Sequence, residues 1–262
     1  MSKHLIWLVW LWLAVPAAAQ QPDQIGPAQV ELAEGLGTLK LPAGFAYFGK
    51  TSTLKLFEQE GTPDGTEIGL VVSSTPGDDF ALFIGYEPYG FVDDREASQL
   101  DPDALLKGLQ ADAEVTNQER AKKGLYPLQV ESWIHEPSYD PHHHLIQWAV
   151  RSSGGDHRQV DWNSRLLTRY GVLSEELVSD QLERDLPRAE YLLKHTKLAK
   201  GQSYEEHQPG EKRSQHGLTH LISKSMRRHG LLALLWNLKK VLAMGLIGII
   251  YWWRRYHSDK KP

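Results

Sequence analysis

The run from Val241 to Trp253 (VLAMGLIGIIYWW) is apolar without a break and ends at Arg254-Arg255. A chain with such a run must take it out of water, and a lipid bilayer is the first candidate. Thirteen helical residues reach only about 20 Å, whereas a hydrocarbon core of ~30 Å takes roughly 20 residues. Starting at Leu231 gives 23 residues but takes in Asn237, Lys239 and Lys240. Two mid-membrane lysines cost about 5–7 kcal/mol. The eleven Leu, Ile and Val residues of 231–253 return roughly 3–7 kcal/mol. Lysines one turn inside the boundary can extend outward, which favours a short span in a locally thinned bilayer. Trp236 on one side, and Tyr251, Trp252 and Trp253 before the arginines on the other, supply aromatic and charged flanks. The competing expectation is a buried or surface-lying helix of a soluble protein.

The other end of the chain sets the direction. Lys3 and His4 precede an eleven-residue apolar stretch, Leu5 to Val15, then Pro16 and Ala17-Ala18-Ala19. This is the pattern of a secretory signal peptide over 1–19, too short to span by itself. Cleavage would leave Gln20 as the first residue, outside the cytoplasm. One later span then puts the C-terminus inside. Basic residues flank both sides of that span, so the positive-inside rule does not decide the matter independently.

The net charge of −4 conceals an asymmetry. Residues 212–262 carry +10 and the first 19 carry +1, which leaves −15 on residues 20–211. An acidic body argues against nucleic acid as a partner, since phosphate binding needs positive surface. The basic stem suits anionic lipid headgroups. The chain has no cysteine, which excludes disulfides, thiolate metal sites, cysteine nucleophiles and a lipidated N-terminal cysteine.

Between the two ends the pattern is α+β. Residues 36–48 alternate and break at Pro42 and Gly44, predicting two short strands around a turn. Residues 51–59 predict a short helix, and 67–73 with 79–86 an antiparallel hairpin. The best-marked element is a helix from Pro102 to Lys123. Asp101 is placed to cap it, Gly124 to close it, and Leu106, Leu109, Ala113 and Thr116 to face inward. Strands are expected after Pro127 and over 144–151, 158–169 and 170–178, antiparallel with one buried face. A helix over 180–195 should break at Pro187. Residues 200–216 are polar, with Gly and Pro, and read as part of a linker.

The string Asn117-x-x-Arg120, Gly124, Pro127-Leu128, Trp133, Pro137, Tyr139-Asp140, His144, Trp148-Ala149 resembles a bacterial family of proteins expected to be membrane-anchored, domain-of-unknown-function family 2167. Asn163-x-Arg165, Gly171-Val172-Leu173 and the early Leu39-x-Leu41-Pro42-x-Gly44-Phe45 fit the same pattern. The resemblance covers about residues 35–205 and the apolar C-terminus. It implies a signal peptide, an exported domain and a C-terminal membrane segment, and brings no activity with it. The chain departs from the family pattern at Pro141-His142-His143, which sets those histidines apart from a family-wide role.

His135, His142, His143 and His144 lie within ten residues, beside Asp140. These are metal-ligand types, but adjacent histidines on a turn point apart and no H-E-x-x-H helix is present. A solvated turn begun by Asp140-Pro141 is the expectation. Asn117 and Arg120 share a helix face, and Asn163 and Arg165 share a strand face. If the helix lay over that strand, the four would either hold a carboxylate or a partner's backbone, or brace the fold from within. Asp93-Asp94 and Glu175-Glu176 are neighbours that point to opposite faces of a strand, so neither pair makes an acid/base dyad. No nucleophile elbow or phosphate-cradling glycine loop occurs.

The sequence therefore predicts an α+β domain, mainly an antiparallel sheet with two or three helices, over 20–199. A linker at 200–229, a membrane helix at 230–255 and a short basic tail follow. The expected function is a binding or structural module of the bacterial inner membrane, largely extracytoplasmic, with its C-terminus in the cytoplasm. The alternative is an envelope hydrolase or metalloenzyme using His135–His144. Asn117, Arg120, Tyr139, Asp140, His144, Asn163 and Arg165 are the candidate binding positions. No catalytic residue, metal or cofactor is assigned. Membrane lipid is the expected partner through the anchor, and an envelope protein a further one.

Overall fold

The structure, a computed structural model, describes residues 21–60, 65–122, 126–155 and 157–224. The expected signal peptide, the closing Gly124, the membrane segment and the tail lie outside them. No helix among the described residues is long and apolar enough to cross a membrane.

Pro42 and Gly44 are where the chain changes sheets. β1 (Gln24–Ile25) precedes β2 (Ala28–Leu32) and β3 (Gly37–Leu41), and β4 (Phe45–Gly49) follows the turn. Gly44 takes φ 85° in that turn, a conformation a Cβ disfavours. α1 (Lys50–Glu60), β5 (Glu67–Ser73), β6 (Ala81–Glu87), α2 (Pro102–Lys122), β7 (Leu128–Asp140) and β8 (Leu145–Gly154) come next. β9 (His157–Leu167), β10 (Val172–Ser179), α3 (Leu182–Lys194) and β11 (Thr196–Leu198) complete the set. The larger sheet has eight strands in the order β1-β4-β5-β6-β10-β9-β8-β7, and the smaller runs β11-β3-β2. Every pairing is antiparallel. The α+β class is as expected.

Both faces of the large sheet are covered. On one, Leu56 of α1 joins Phe48, Leu70, Phe83 and Val178. Leu105, Leu109 and Ala113 of α2 join Ile146, Trp148 and Val150 on the same face. On the other, Phe45, Tyr47, Leu82, Ile84, Trp162 and Leu177 pack against the small sheet and Ala189 and Leu192 of α3. Alternation therefore predicts the face of each residue but not its burial. β10, expected to bury one face, buries all eight residues because it lies mid-sheet between two layers. At its start Gly171 admits no side chain, since a Cβ would lie 2.1 Å from the Glu87 carbonyl oxygen.

Two expectations are corrected. The buried stripe of α2 is Leu105, Leu109 and Ala113, with Leu106 and Thr116 only partly covered. The Asp101 cap stands, its carboxylate accepting from the Ala104 N–H at 3.0 Å. α3 does not break at Pro187. Pro187 and Glu183 are exposed, so water can take the one carbonyl that proline leaves unbonded. β7 runs through Pro137, with three register shifts against β8. A terminal strand tolerates a proline that a central strand would not.

The stretch expected as a linker is described to Lys224, and to that point it lies packed on the end of the sheet. Several of its polar residues make capping and ionic contacts there, while others, such as Gln208 and Gln215, remain exposed. Ser203 and Glu206 form a capping box around a turn at Tyr204–Glu206, and residues 218–224 are helical.

Candidate functional site

The seven expected positions fall in three places, not one. The first is the end of α2. The Asn117 side-chain amide donates to the Leu128 carbonyl at 2.9 Å and accepts from the Leu128 N–H at 2.7 Å. Arg120 is buried and donates from Nε to the Tyr126 carbonyl at 2.8 Å. Burial holds its guanidinium below the usual arginine range, and its Nη1 has no hydrogen-bond partner among the described residues. Both residues act on the backbone of the next strand.

The second place is the buried helix-side surface of β9 and β10. Arg165 Nη2 meets Glu176 Oε1 at 2.5 Å and Asn163 Oδ1 at 3.3 Å, and Nη1 donates to the Ser164 carbonyl at 3.0 Å. Its guanidinium lies 5.1 Å over the Trp148 ring. The side chains of Arg165 and Glu176 are 2% and 8% exposed, so the pair is internal. Glu175 points the other way, as adjacent strand residues must. Burial pushes its carboxyl up to about 8.

The third place gathers Tyr139 and His144 at one end of the sheet with residues that local pattern does not connect to them. The Tyr139 hydroxyl donates to Asp94 Oδ2 at 2.6 Å and lies 3.1 Å from His144 Nδ1. His144 Nε2 lies 3.2 Å from Glu205 Oε1. Burial, then Asp94, pushes the Tyr139 hydroxyl up, and the same causes act on Tyr204. His144 sits at φ 50°, in the left-handed region where histidine is enriched among non-glycine residues. Asp140 only closes the turn beside it, accepting from the His142 N–H and meeting His143 Nδ1 at 2.6 Å.

Four rings stack through this place. His144 lies on Tyr204 at 4.0 Å between centroids, Tyr204 on Phe91 at 4.4 Å and Phe91 on His207 at 3.9 Å. Around them, ion pairs join residues 205–213 to the sheet. Arg169 Nε donates to both Glu211 oxygens at 3.1 and 2.9 Å, and Nη2 reaches the same carboxylate. Arg169, then the Gln208 N–H, holds Glu211 down to about 2. Arg213 meets Asp93 at 2.7 Å. His207 Nδ1 lies 3.3 Å from Glu211 without hydrogen-bond alignment, an electrostatic contact only. The Phe91 N–H donates to the Lys212 carbonyl at 3.0 Å and its carbonyl accepts from Ser214 at 2.8 Å. Further along, Glu96 caps the Thr219 N–H at 2.8 Å and Lys224 Nζ donates to the Tyr89 hydroxyl at 2.6 Å. This arrangement is a clamp. His144 Nδ1 faces the Tyr139 hydroxyl, and its Nε2 faces the exposed Glu205 carboxylate. Among the described residues no three His, Asp or Glu side chains are grouped to hold a metal ion.

A family model described as "Protein of unknown function (DUF2167)" matches residues 24–250. The chain belongs to this family. The residues that carry the resemblance fall in all three places: Asn117 and Arg120, Asn163 and Arg165, and Tyr139 and His144. No curated protein matches the chain. Among solved structures the chain is similar to cyanobacterial PsbP (CyanoP) from Synechocystis sp. PCC 6803, at 10% identity and a TM-score of 0.43. That match covers 66% of this chain and 92% of that one.

Asp94, Phe91, Tyr204, Glu205, His207, Arg169 and Glu211 escape sequence reasoning. They come from three stretches far apart in the chain, and periodicity reports only local faces. The Ser203-x-x-Glu206 capping spacing is the one local sign that residues 200–211 are structured.

Proposed function

We propose that this protein is a non-catalytic module of the bacterial envelope, exported by residues 1–19 and anchored by the apolar segment at 230–255. Its domain would stand outside the cytoplasmic membrane in a fixed attitude. The observation that carries this reading is the clamp: residues 200–224, which lead into the apolar segment, are bound to the end of the sheet. A domain needing only to stay near the membrane would be served by a free tether. A packed connection transmits orientation. Charge favours the same arrangement, because a body of −15 is repelled by anionic headgroups that attract the basic residues on either side of the apolar segment.

The three separate clusters support the structural reading of the candidate positions, each being occupied with internal contacts. The test is topological. Mature protein from the membrane fraction should begin at Gln20, and a reporter fused after Pro262 should work only in the cytoplasm. An extracytoplasmic C-terminus, or a protein that washes off membranes in high salt, would refute the proposal.

A further inference from the structure

The last strand of a sheet offers its outward N–H and C=O groups to any passing strand, and a long edge invites pairing with another chain. β7 is such a strand, thirteen residues long at the end of an eight-stranded sheet. Outward-facing groups recur at every second residue. At the start of β7 they include the carbonyls of Tyr126, Leu128 and Val130 and the N–H of Leu128.

All four are taken by one helix. Arg120 Nε donates to Tyr126, Asn117 pairs with both groups of Leu128, and Gln110 Nε2 donates to Val130 at 3.2 Å. Residues 110, 117 and 120 are spaced by seven and three, which puts them along one side of α2. An asparagine amide offers a donor and an acceptor, as a strand residue does. Trp133 Nε1 ties the other end of the helix down, donating to the Pro102 carbonyl at 3.0 Å. Beyond Val130 the three register shifts and Pro137 spoil the edge by a different route.

We propose that α2 takes the place of a neighbouring strand, and that Asn117 keeps a second copy of this chain from pairing with β7. This gives the Asn117-x-x-Arg120 spacing a purpose independent of where the protein resides: it closes an interface.

The absence of cysteine allows a direct test on the full chain in detergent micelles. Gln129 is exposed on β7, and Gln129→Cys serves as a probe for a short bismaleimide. Antiparallel pairing centred on Leu128 brings the two probes within its reach. The probe alone should give monomer. With Asn117→Ala added, cross-linked dimer should rise at least tenfold, and sedimentation velocity should show concentration-dependent association. Asn117→Asp keeps the acceptor for Leu128 but loses the donor, and should fall between the two. If Asn117→Ala does not fold, Asn117→Asp carries the test alone, since it frees the Leu128 carbonyl while the Leu128 N–H stays bonded. A folded variant that stays monomeric without cross-linking would overturn the proposal, as would equal cross-linking of the probe alone.

Discussion

Glu175 makes a pH-dependent prediction whose sign is opposite to that of most carboxylates. The residue is 1% exposed and lies across the sheet from Ser164 on one side and Ile84 on the other. Thr196 Oγ1 donates to Oε1 at 3.5 Å, the outer limit of a hydrogen bond. Neither Oε2 nor Ser164 Oγ has a hydrogen-bond partner among the described residues. Burial raises the carboxyl from 4.5 to about 8, so between those values the folded chain holds a proton that the unfolded chain has released. Stability from this group is therefore complete below about pH 4.5 and declines as pH rises toward 8. At 1.36 kcal/mol per pH unit, the loss between pH 5 and 8 is about 4 kcal/mol. That is large beside a total of ~5–15 kcal/mol. Glu175→Gln cannot ionise and should remove the slope. Urea unfolding followed by the fluorescence of buried Trp148 and Trp162 measures both proteins across this range. The wild type should lose about 4 kcal/mol relative to the variant. Parallel curves, or a wild type that gains on the variant as pH rises, would mean that Glu175 is ionised and paired in the fold.

Arg120→Ala removes a charge-assisted bond to the Tyr126 carbonyl, worth about 2 kcal/mol. Its melting point should fall by roughly 4–8 °C, and that of Asn163→Ala by less. An unchanged melting point together with lost function in cells would mark Arg120 as a binding position. Glu211, held down to about 2 by Arg169, acts in the usual carboxylate sense. Its contribution is complete above about pH 4.5 and is lost as pH falls toward 2. The protection factor of the Ser214 amide, bonded to Phe91, should fall over that acid range, and in Arg169→Ala at neutral pH. Indifference to both would show that the ion pair does not hold the clamp.

Elements were legible in the sequence wherever a local rule applied. Asp101 and Pro102 mark the start of α2, and the alternation of Val160 to Leu166 assigns the faces of β9. Whether a face is buried was not legible, because it depends on layers supplied from elsewhere. β10 buries Ser174, Glu175 and Glu176 only because the small sheet and the helices cover both its sides. The candidate residues divided in the same way. Asn117 and Arg120 were legible as a pair because they share one helix. Their target, the backbone of the next strand, was not, since nothing in residue type marks a main-chain group. Tyr139 and His144 belong together, but Asp94 and Glu205, which complete their cluster, lie 45 and 61 residues away from Tyr139 and His144 respectively. Residues 200–216 read as a linker because their polarity suits solvent as well as it suits ion pairs.

The central claim is that the chain leading to the apolar segment moves with the domain. The cysteine-free sequence allows spin labels at Lys107→Cys on α2 and Gln215→Cys, with the full chain in lipid nanodiscs. A clamped connection predicts one narrow distance distribution, which broadens when Arg169→Ala and Asp93→Ala remove the ion pairs to Glu211 and Arg213. A free tether leaving β11 at Leu198 would spread position 215 over roughly 23 Å. A wild-type distribution of that breadth would contradict the account.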